Sequence, residues 1–327
     1  MEQIKENGIG EIKMKKKSLV LLLAFSMIFT FMLGACGSKS EEAPAEDSAA
    51  STDVATAYNN ILAQIESEAG ETDGQLTVAT SPDFAPMEFV DLSRQGDEQY
   101  VGFDVLLAKD IANKLGKELV IKPMSFDAVQ AAVQTGSVDM GISGFSWTEE
   151  RAENYFLTRW YKAGDNETEQ TIITTKANDG KLTTADSYNG LKVGAQGGSL
   201  QKMLVEQQLP GAEMVLYENL NDAVTALMTG KIDALAVATG NGEAFISANP
   251  DDLVMTGFQF EVDELYKNNV IMINKDNAEL GEQVNAILDQ QEKDNVWDTW
   301  YEACQLLGEI KTADELGYDD SGNKITE

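Results

Sequence analysis

The feature that most constrains the fold of this chain is an internal repeat. Ala132–Asp139 (AVQTGSVD) and Ala226–Asp233 (ALMTGKID) match one another without a gap. Each segment begins as the end of an apolar-periodic helix, and Thr-Gly closes that helix because glycine accepts the left-handed conformation of a helix end. Each then enters a short apolar strand, at 140–142 or 234–237. The chain therefore contains the same helix-to-strand unit twice.

Each half of the chain also opens with a strand of the form Leu-x-Val, at 76–78 and at 191–193. Between strands, apolar residues such as Val105, Ala108 and Ile111 recur on one helical face. Alternating strands and helices are typical of parallel sheets, so two such units predict two α/β lobes. The lobes could be fixed together for stability alone, but ligands favour the carboxyl ends of parallel strands and the interfaces between domains. We therefore expect a ligand-binding cleft between the lobes.

Length, charge and residue inventory narrow the function. The chain has 327 residues, enough for two domains, and 43% of them are apolar. Its formal net charge of -31 repels nucleic acid, so nucleic-acid binding is excluded as the main role. It contains no histidine, which excludes Ser-His-Asp hydrolases and His-ligated zinc enzymes. Its 2 cysteines form neither a disulfide framework nor a metal cage, and we expect no cofactor and no bound metal.

The N-terminal segment has the pattern of an export signal. A basic cluster at Lys15–Lys17 precedes an uncharged apolar run at Ser18–Ala35. The run is about as long as a short membrane span, so hydropathy alone also allows a transmembrane anchor. Leu33-Gly34-Ala35-Cys36 resembles the lipobox of bacterial lipoproteins. That resemblance implies cleavage before Cys36 and a diacylglyceryl group on its thiol.

Five motifs follow one another along the body of the chain. They are Phe84–Phe89 (FAPMEF), Val101–Val105 (VGFDV), Ser125–Asp127 (SFD), Gly141–Arg151 (GISGFSWTEER) and Val193–Ser199 (VGAQGGS). In this order they resemble the signatures of the bacterial extracellular solute-binding proteins of family 3, which serve ABC importers of polar amino acids. The resemblance covers residues 75–305, and the ordering of the motifs makes it specific.

The resemblance implies a two-lobed α/β fold of the type II periplasmic-binding kind. Each lobe would be a mostly parallel sheet flanked by helices, and two crossing strands would join the lobes. The implied organisation is a lipoprotein signal peptide (1–35), a lipid-anchored flexible linker with a short amphipathic helix (36–73), lobe 1 (74–175 plus 270–327) and lobe 2 (176–269).

The implied function is capture of an amino acid or related small carboxylate outside the cell and its delivery to an ABC permease and ATPase. We expect a non-enzymatic monomer, held on the extracellular face of the cytoplasmic membrane by its lipid. One alternative is an enzyme of dehydratase type on the same scaffold, which needs an acid over the cleft, such as Glu243. A second alternative is a ligand sensor for a membrane receptor.

Arg151 is the strongest candidate for ligand binding. Thr148 is a plausible helix N-cap, with Glu149 and Glu150 in the first turn, so Arg151 lies near a helix N-terminus. A guanidinium binds a carboxylate through two parallel hydrogen bonds, which lysine cannot copy. The family's matching arginine holds the ligand's α-carboxylate. The competing interpretation is an exposed arginine paired with a nearby glutamate.

The resemblance implies further ligand contacts. Small residues let the backbone approach a ligand, and aromatic rings would sandwich its side chain. Each could instead be an ordinary loop residue, a core phenylalanine or a turn glycine. These candidates are Phe84, Phe126, Ser143, Gly144, Ser146, Gly198, Ser199, Ala238 and Thr239.

The sequence departs from the family at the expected partner of the ligand's ammonium group. Ala238 stands where amino-acid binders of the family carry an acid. An ammonium without a carboxylate partner is poorly compensated in a closed cleft. Either Asp83, Glu88 or Glu243 supplies the acid, or the ligand has no free α-amino group.

Overall fold

A computed structural model of the chain describes residues 47–161 and 169–315, with side chains over 56–161 and 169–308. The proposed signal peptide, Cys36 and the first part of the linker lie outside the described residues. Every described element belongs to one unit, residues 44–327. Within the described ranges, no helix combines the length and the apolar character that a membrane span requires.

The strands and helices alternate along the chain. The strands are β1 Gln75–Thr80, β2 Asp83–Phe84, β3 Glu88–Val90, β4 Tyr100–Val101, β5 Glu118–Pro123, β6 Met140–Gly141, β7 Tyr155–Leu157, β8 Gln170–Thr175, β9 Lys192–Gln196, β10 Glu213–Tyr217, β11 Ala234–Ala238, β12 Leu253–Gln259 and β13 Met272–Asn274. The helices are α1 Asp47–Ser67, α2 Phe103–Lys114, α3 Phe126–Thr135, α4 Glu149–Asn154, α5 Leu200–Gln208, α6 Leu220–Met228, α7 Thr239–Ala248, α8 Ala278–Asp294 and α9 Trp297–Glu315.

The two large sheets have the same plan. Their strand orders are β5-β1-β6-β13-β7 and β10-β9-β11-β8-β12. In each sheet the first three strands are parallel, and the last two join antiparallel. A small antiparallel sheet, β2-β3-β4, adds to the first lobe. The fold is therefore the two-sheet α/β architecture that the repeat predicts.

The repeat also has the predicted local structure in both copies. Gly136 and Gly230 follow α3 and α6 with φ of 69° and 70°, the left-handed conformation that glycine adopts without steric cost. Asp139, after the first glycine, accepts a hydrogen bond from the backbone N–H of Thr77 at 2.7 Å. Asp233, its counterpart, accepts one from the N–H of Lys192 at 2.8 Å. Each aspartate is thus hydrogen-bonded to the backbone of the first strand of its own half.

The position of β8 moves the boundary between the lobes. β8 pairs with β11 and β12 in the second sheet, whereas the sequence-based boundary leaves its residues in lobe 1. The second lobe that we propose therefore begins before Gln170 rather than at residue 176. An apolar strand has the same residue pattern on either side of a crossing, so only its long-range pairing reveals which sheet it joins.

Terminal helices pack against the first lobe. Tyr58 and Ile65 of α1 belong to the same hydrophobic core as Trp297 and Trp300 of α9. Cys304, also in α9, is a buried free thiol in that core. The short amphipathic helix predicted within 36–73 is therefore present in α1, and apolar packing explains its position.

Candidate ligand-binding site

A cavity of about 440 Å³, including its open mouth, lies between the two lobes. The first lobe contributes aromatic rings, the loop after β6 and Arg151, while the second lobe contributes the end of β9 and the start of α5. The lining residues are Phe84, Phe126, Ser143, Gly144, Ser146, Arg151, Gln170, Gln196, Ser199, Leu200, Gln201 and Asn269. The carboxyl ends of parallel strands therefore face this space, as expected for a ligand site.

Arg151 is held in the cavity wall by its backbone and by its own hydrogen bonds. The predicted cap is confirmed, since the Thr148 hydroxyl accepts from the Arg151 N–H at 3.2 Å. The guanidinium donates to the carbonyl of Ser146 at 2.6 Å and to that of Gly198, in the other lobe, at 3.0 Å. It also lies over the rings of Phe126 and Phe145, at 5.7 and 5.1 Å from their centres. The Ser146 carbonyl and the two rings belong to the same lobe as Arg151, so these contacts orient the side chain before the lobes close.

Arg151 also carries an uncompensated charge. Its exposed fraction is 6%, and burial lowers its pKa to about 10, against a smaller opposing effect of Tyr155 and Glu150. Within residues 56–161 and 169–308, no carboxylate forms an ion pair with it. Two of the five guanidinium N–H groups are used, so three remain for an anion.

The loop between β6 and Arg151 requires glycine at position 144 and is fixed by the Ser143 hydroxyl. Gly144 has φ of 54°, and a Cβ atom there would meet the Phe84 ring at 2.8 Å. The Ser143 hydroxyl donates to Glu88 at 2.6 Å and accepts from the Ser81 N–H at 3.0 Å. The loop is thereby fixed so that its surface lines the cavity.

The second lobe presents a helix N-terminus to the same space. Ser199 caps α5 by accepting from the Lys202 N–H at 3.0 Å, and Leu200 and Gln201 of its first turn line the cavity. The first N–H groups of a helix have no partner within the helix, so they attract an anion. Gly198 precedes the cap with φ of 71°, and a Cβ there would meet the Gln130 amide at 2.6 Å.

Four amide side chains complete the wall, and the sequence analysis did not select any of them. Gln170 accepts from Gln201 at 2.6 Å, and Gln196 donates to Asp83 at 2.9 Å. Asn269, in the segment that crosses back to lobe 1, is 5% exposed and its Nδ2 amide is buried without an acceptor among the described residues. A polar amide directly before the apolar run 270–273 was the available sequence signal for this residue.

The structure does not place every candidate at the cavity. Ala238 and Thr239 are buried but lie outside its lining. Ala238 on β11 pairs with Gln170 on the neighbouring strand β8. Of these two residues, Gln170 lines the cavity. Glu243 lies further along α7 and is exposed.

Three acids pack behind the cavity wall. Asp83 accepts from the Leu220 N–H at 2.7 Å, across the lobe interface, and burial raises its pKa to about 6. Burial and mutual repulsion raise the pKa of Glu88 well above its usual value, and burial also raises the pKa of Asp104. Asp104 accepts from the Gly144 N–H at 2.7 Å and from the Tyr161 hydroxyl at 3.1 Å. Glu88 and Asp104 hold the cavity loop from behind, and none of the three acids lines the cavity.

Comparisons with known proteins agree with this architecture. The family model of the bacterial extracellular solute-binding proteins, family 3, matches residues 76–303. A probable histidine-binding protein of Campylobacter jejuni is 29% identical over 238 residues, covering 71% of this chain and 85% of the relative. The L-cystine-binding protein TcyJ of Escherichia coli K12 is 27% identical over 222 residues, covering 68% and 79%.

Solved structures give the same result. An amino acid ABC transporter substrate-binding protein from Streptococcus pneumoniae, bound to L-arginine, superimposes with a TM-score of 0.65 at 32% identity. The match covers 72% of this chain and 96% of that one. The fold is the type II periplasmic-binding fold. Because the family model spans more than half of the sequence, this chain belongs to the bacterial extracellular solute-binding proteins of family 3.

Proposed function

We propose that this chain is the lipid-anchored, extracellular ligand-binding subunit of an ABC importer. It captures an amino acid or a related small carboxylate between its lobes and delivers it to a permease driven by an ATPase. The observation that carries this proposal is Arg151, a buried guanidinium that faces the cavity and has no ionic partner among the described residues.

A carboxylate is the ligand group that this arrangement fits. Burying a charge is costly unless the charge is paired and hydrogen-bonded. The remaining guanidinium N–H groups can hold two carboxylate oxygens side by side, with the α5 N-terminus adding positive potential. Phe84 and Phe126 line the same cavity and offer apolar surface to the rest of the ligand.

The contacts between the lobes fit capture by closure. Arg151 and Gln130 of lobe 1 both donate to the carbonyl of Gly198 in lobe 2, at 3.0 and 3.2 Å. On another side, Asn241 of lobe 2 donates to the Ala85 carbonyl at 2.8 Å. Such bonds form only when the lobes meet, so a ligand that bridges them favours the closed arrangement.

The names of the relatives support an amino-acid class of ligand and do not identify its side chain. One is called histidine-binding and another L-cystine-binding, and the compared solved structure is bound to L-arginine. These side chains differ in charge and size, so the shared part is the α-amino-acid group, with its carboxylate and its ammonium. A dehydratase function lacks comparable support, because Glu243, the acid that it relied on, lies outside the cavity lining.

A thermal-shift panel tests the proposal. A ligand that binds only the folded state raises the melting temperature, by an amount that grows with its concentration relative to Kd. The panel contains amino acids, N-acylated amino acids, organic acids, sugars and metal salts. We expect stabilisation by one or more carboxylates. Stabilisation by sugars or metal ions and by no carboxylate would contradict the proposal.

A further inference from the structure

The cavity has an unbalanced set of charges. Of its twelve lining residues, Arg151 alone is charged, and no aspartate or glutamate is among the lining residues that the structure describes. The polar remainder consists of serine hydroxyls and the amides of Gln170, Gln196, Gln201 and Asn269. The wall therefore supplies one positive charge and only neutral acceptors.

Each acid near the cavity already accepts hydrogen bonds from other groups, although Glu88 and Asp104 each keep one buried oxygen without a partner among the described residues. Asp83 faces the N-terminus of α6 and the amide of Gln196. Glu88 and Asp104 lie behind the loop, and the groups between them and the cavity are already used. The Ser143 hydroxyl donates to Glu88, and the Gly144 N–H donates to Asp104. Glu150 lies outside this lining, on the exposed surface of α4.

The donors converge on the cavity from three directions. Arg151 has unused N–H groups, and the first turn of α5 has N–H groups with no partner within the helix. Asn269 adds a third donor, which is independent of the other two. Its amide is 95% buried, lines the cavity and finds no acceptor in the described part of the chain. An orphaned buried donor is costly unless a ligand or water oxygen accepts its hydrogen bond.

We infer that the ligand is a monoanionic carboxylate that carries no ammonium group. This inference rests on the proposed function and narrows its ligand class. In such a ligand the α-amino group is acylated, or is replaced by hydrogen, a hydroxyl or a keto oxygen. The single negative charge then neutralises Arg151, and Asn269 donates to a second oxygen of the ligand.

The same cavity disfavours a free amino acid. A zwitterion has no net charge, so the buried positive charge of Arg151 would persist after binding. Its ammonium would exchange water for amide and carbonyl oxygens, with no carboxylate in the described lining to compensate it. Basic amino acids would add a further positive charge and fit less well still.

Calorimetry with matched sets of probes tests this inference. Each set keeps one side chain and varies the amino group: L-glutamine, Nα-acetyl-L-glutamine and 4-carbamoylbutanoate; L-phenylalanine, N-acetyl-L-phenylalanine and 3-phenylpropionate; L-leucine, N-acetyl-L-leucine and 4-methylpentanoate. In at least one set we expect the acetylated or the amino-free form to bind at least tenfold more tightly than the free amino acid. Tighter binding of the free amino acid overturns the inference and leaves the proposed function intact.

Mass spectrometry of the ligand released from the purified full-length protein gives a second readout, after reaction with a reagent for primary amines. We expect a carboxylate that does not react. Release of an amine-bearing carboxylate overturns the inference alone, whereas release of a ligand without a carboxylate overturns the proposed function as well.

A charge introduced into the cavity should change the preference. Gln170→Glu keeps the acceptor that Gln201 uses and adds a carboxylate to the wall. We expect it to weaken binding of the acetylated or amino-free probe at least tenfold, and to reduce its advantage over the free amino acid. Gln207→Glu adds the same charge on the exposed surface of α5, outside this cavity, and should leave both affinities unchanged. Equal affinities in Gln170→Glu and the wild type would contradict the inference.

Discussion

Replacing Arg151 with methionine should separate ligand binding from folding stability. The guanidinium is 6% exposed and has no carboxylate partner among the described residues, so the ligand supplies its counter-charge. Methionine has a similar length, is apolar, and packs well against rings such as those of Phe126 and Phe145. The variant therefore removes the charge while leaving the space between the rings filled.

The substitution should have a large effect on ligand affinity and a small effect on the free energy of unfolding. Truncating one partner of a buried charge pair typically costs about 2–5 kcal/mol, which weakens binding by about 30-fold to several thousand-fold. For the ligand-free protein, with its lobes open, loss of the bond to the Ser146 carbonyl costs about 1.5–3 kcal/mol. Removing the desolvated charge returns several kcal/mol. The two contributions nearly cancel, so the free energy of unfolding should stay within about 2 kcal/mol of the wild-type value.

Calorimetry with the tightest-binding carboxylate of the panel measures affinity, and thermal melting of ligand-free protein measures stability. Arg159→Met is the matched control, because Arg159 pairs with Asp289 and Glu292 at 2.6 and 2.7 Å on the surface of lobe 1. The control should bind as the wild type does and melt at the same or a slightly lower temperature. If the Kd of Arg151→Met for this carboxylate is within a factor of a few of the wild-type Kd, Arg151 does not hold the carboxylate.

Four further predictions follow from other parts of the chain. Cys36→Ala should release the protein from the membrane fraction, and intact-mass analysis of the wild type should show the added lipid; a variant that stays equally membrane-bound would count against the lipid anchor. Small-angle scattering should show a smaller radius of gyration on saturation with ligand, since the lobes close about the two segments that join them, the second of which is near 268–272; an unchanged profile would indicate a rigid site. Glu88 and Asp104 have raised pKa values, so the native state keeps protons that the unfolded chain has released, and the free energy of unfolding should fall as the pH rises from about 4 to 7. Glu88→Gln should reduce that fall in denaturant titrations, and an unaltered pH profile would exclude the pair as its source. Because the net charge of -31 repels an anion, the association rate of an anionic ligand should increase with salt in stopped-flow experiments, whereas a zwitterion should show no such increase.

Local signals in the sequence were sufficient for much of the fold. The two Thr-Gly helix ends and the Thr148 cap depend on residues within one helical turn, so the sequence alone predicts them. The ordering of motifs also predicted that the loop at 143–146 and Arg151 would face the second lobe. These features line one cavity in the structure.

Contacts between distant segments account for what the sequence analysis missed. Gln170 and Asn269 reach the cavity because each lies beside a crossing between the lobes, Gln170 at the start of β8 and Asn269 in the 268–272 segment. Their neighbours there are far away in the sequence. An isolated Gln or Asn carries no periodic pattern that marks it as buried. Ala238 was placed at the site by the motif, but Gln170, opposite it on β8, occupies the lining.

The strand orders of the two sheets have a consequence for how the chain folds during synthesis. The second sheet consists of consecutive strands, β8 to β12, and its last residue is Gln259. In the first sheet β13 lies between β6 and β7, so β7 has no neighbour in that sheet until residues 272–274 have been made. Helix α8, which packs on β13 and β7, comes later still. The lobe that begins first along the chain is therefore completed last, after the lobe inserted within it has all of its strands.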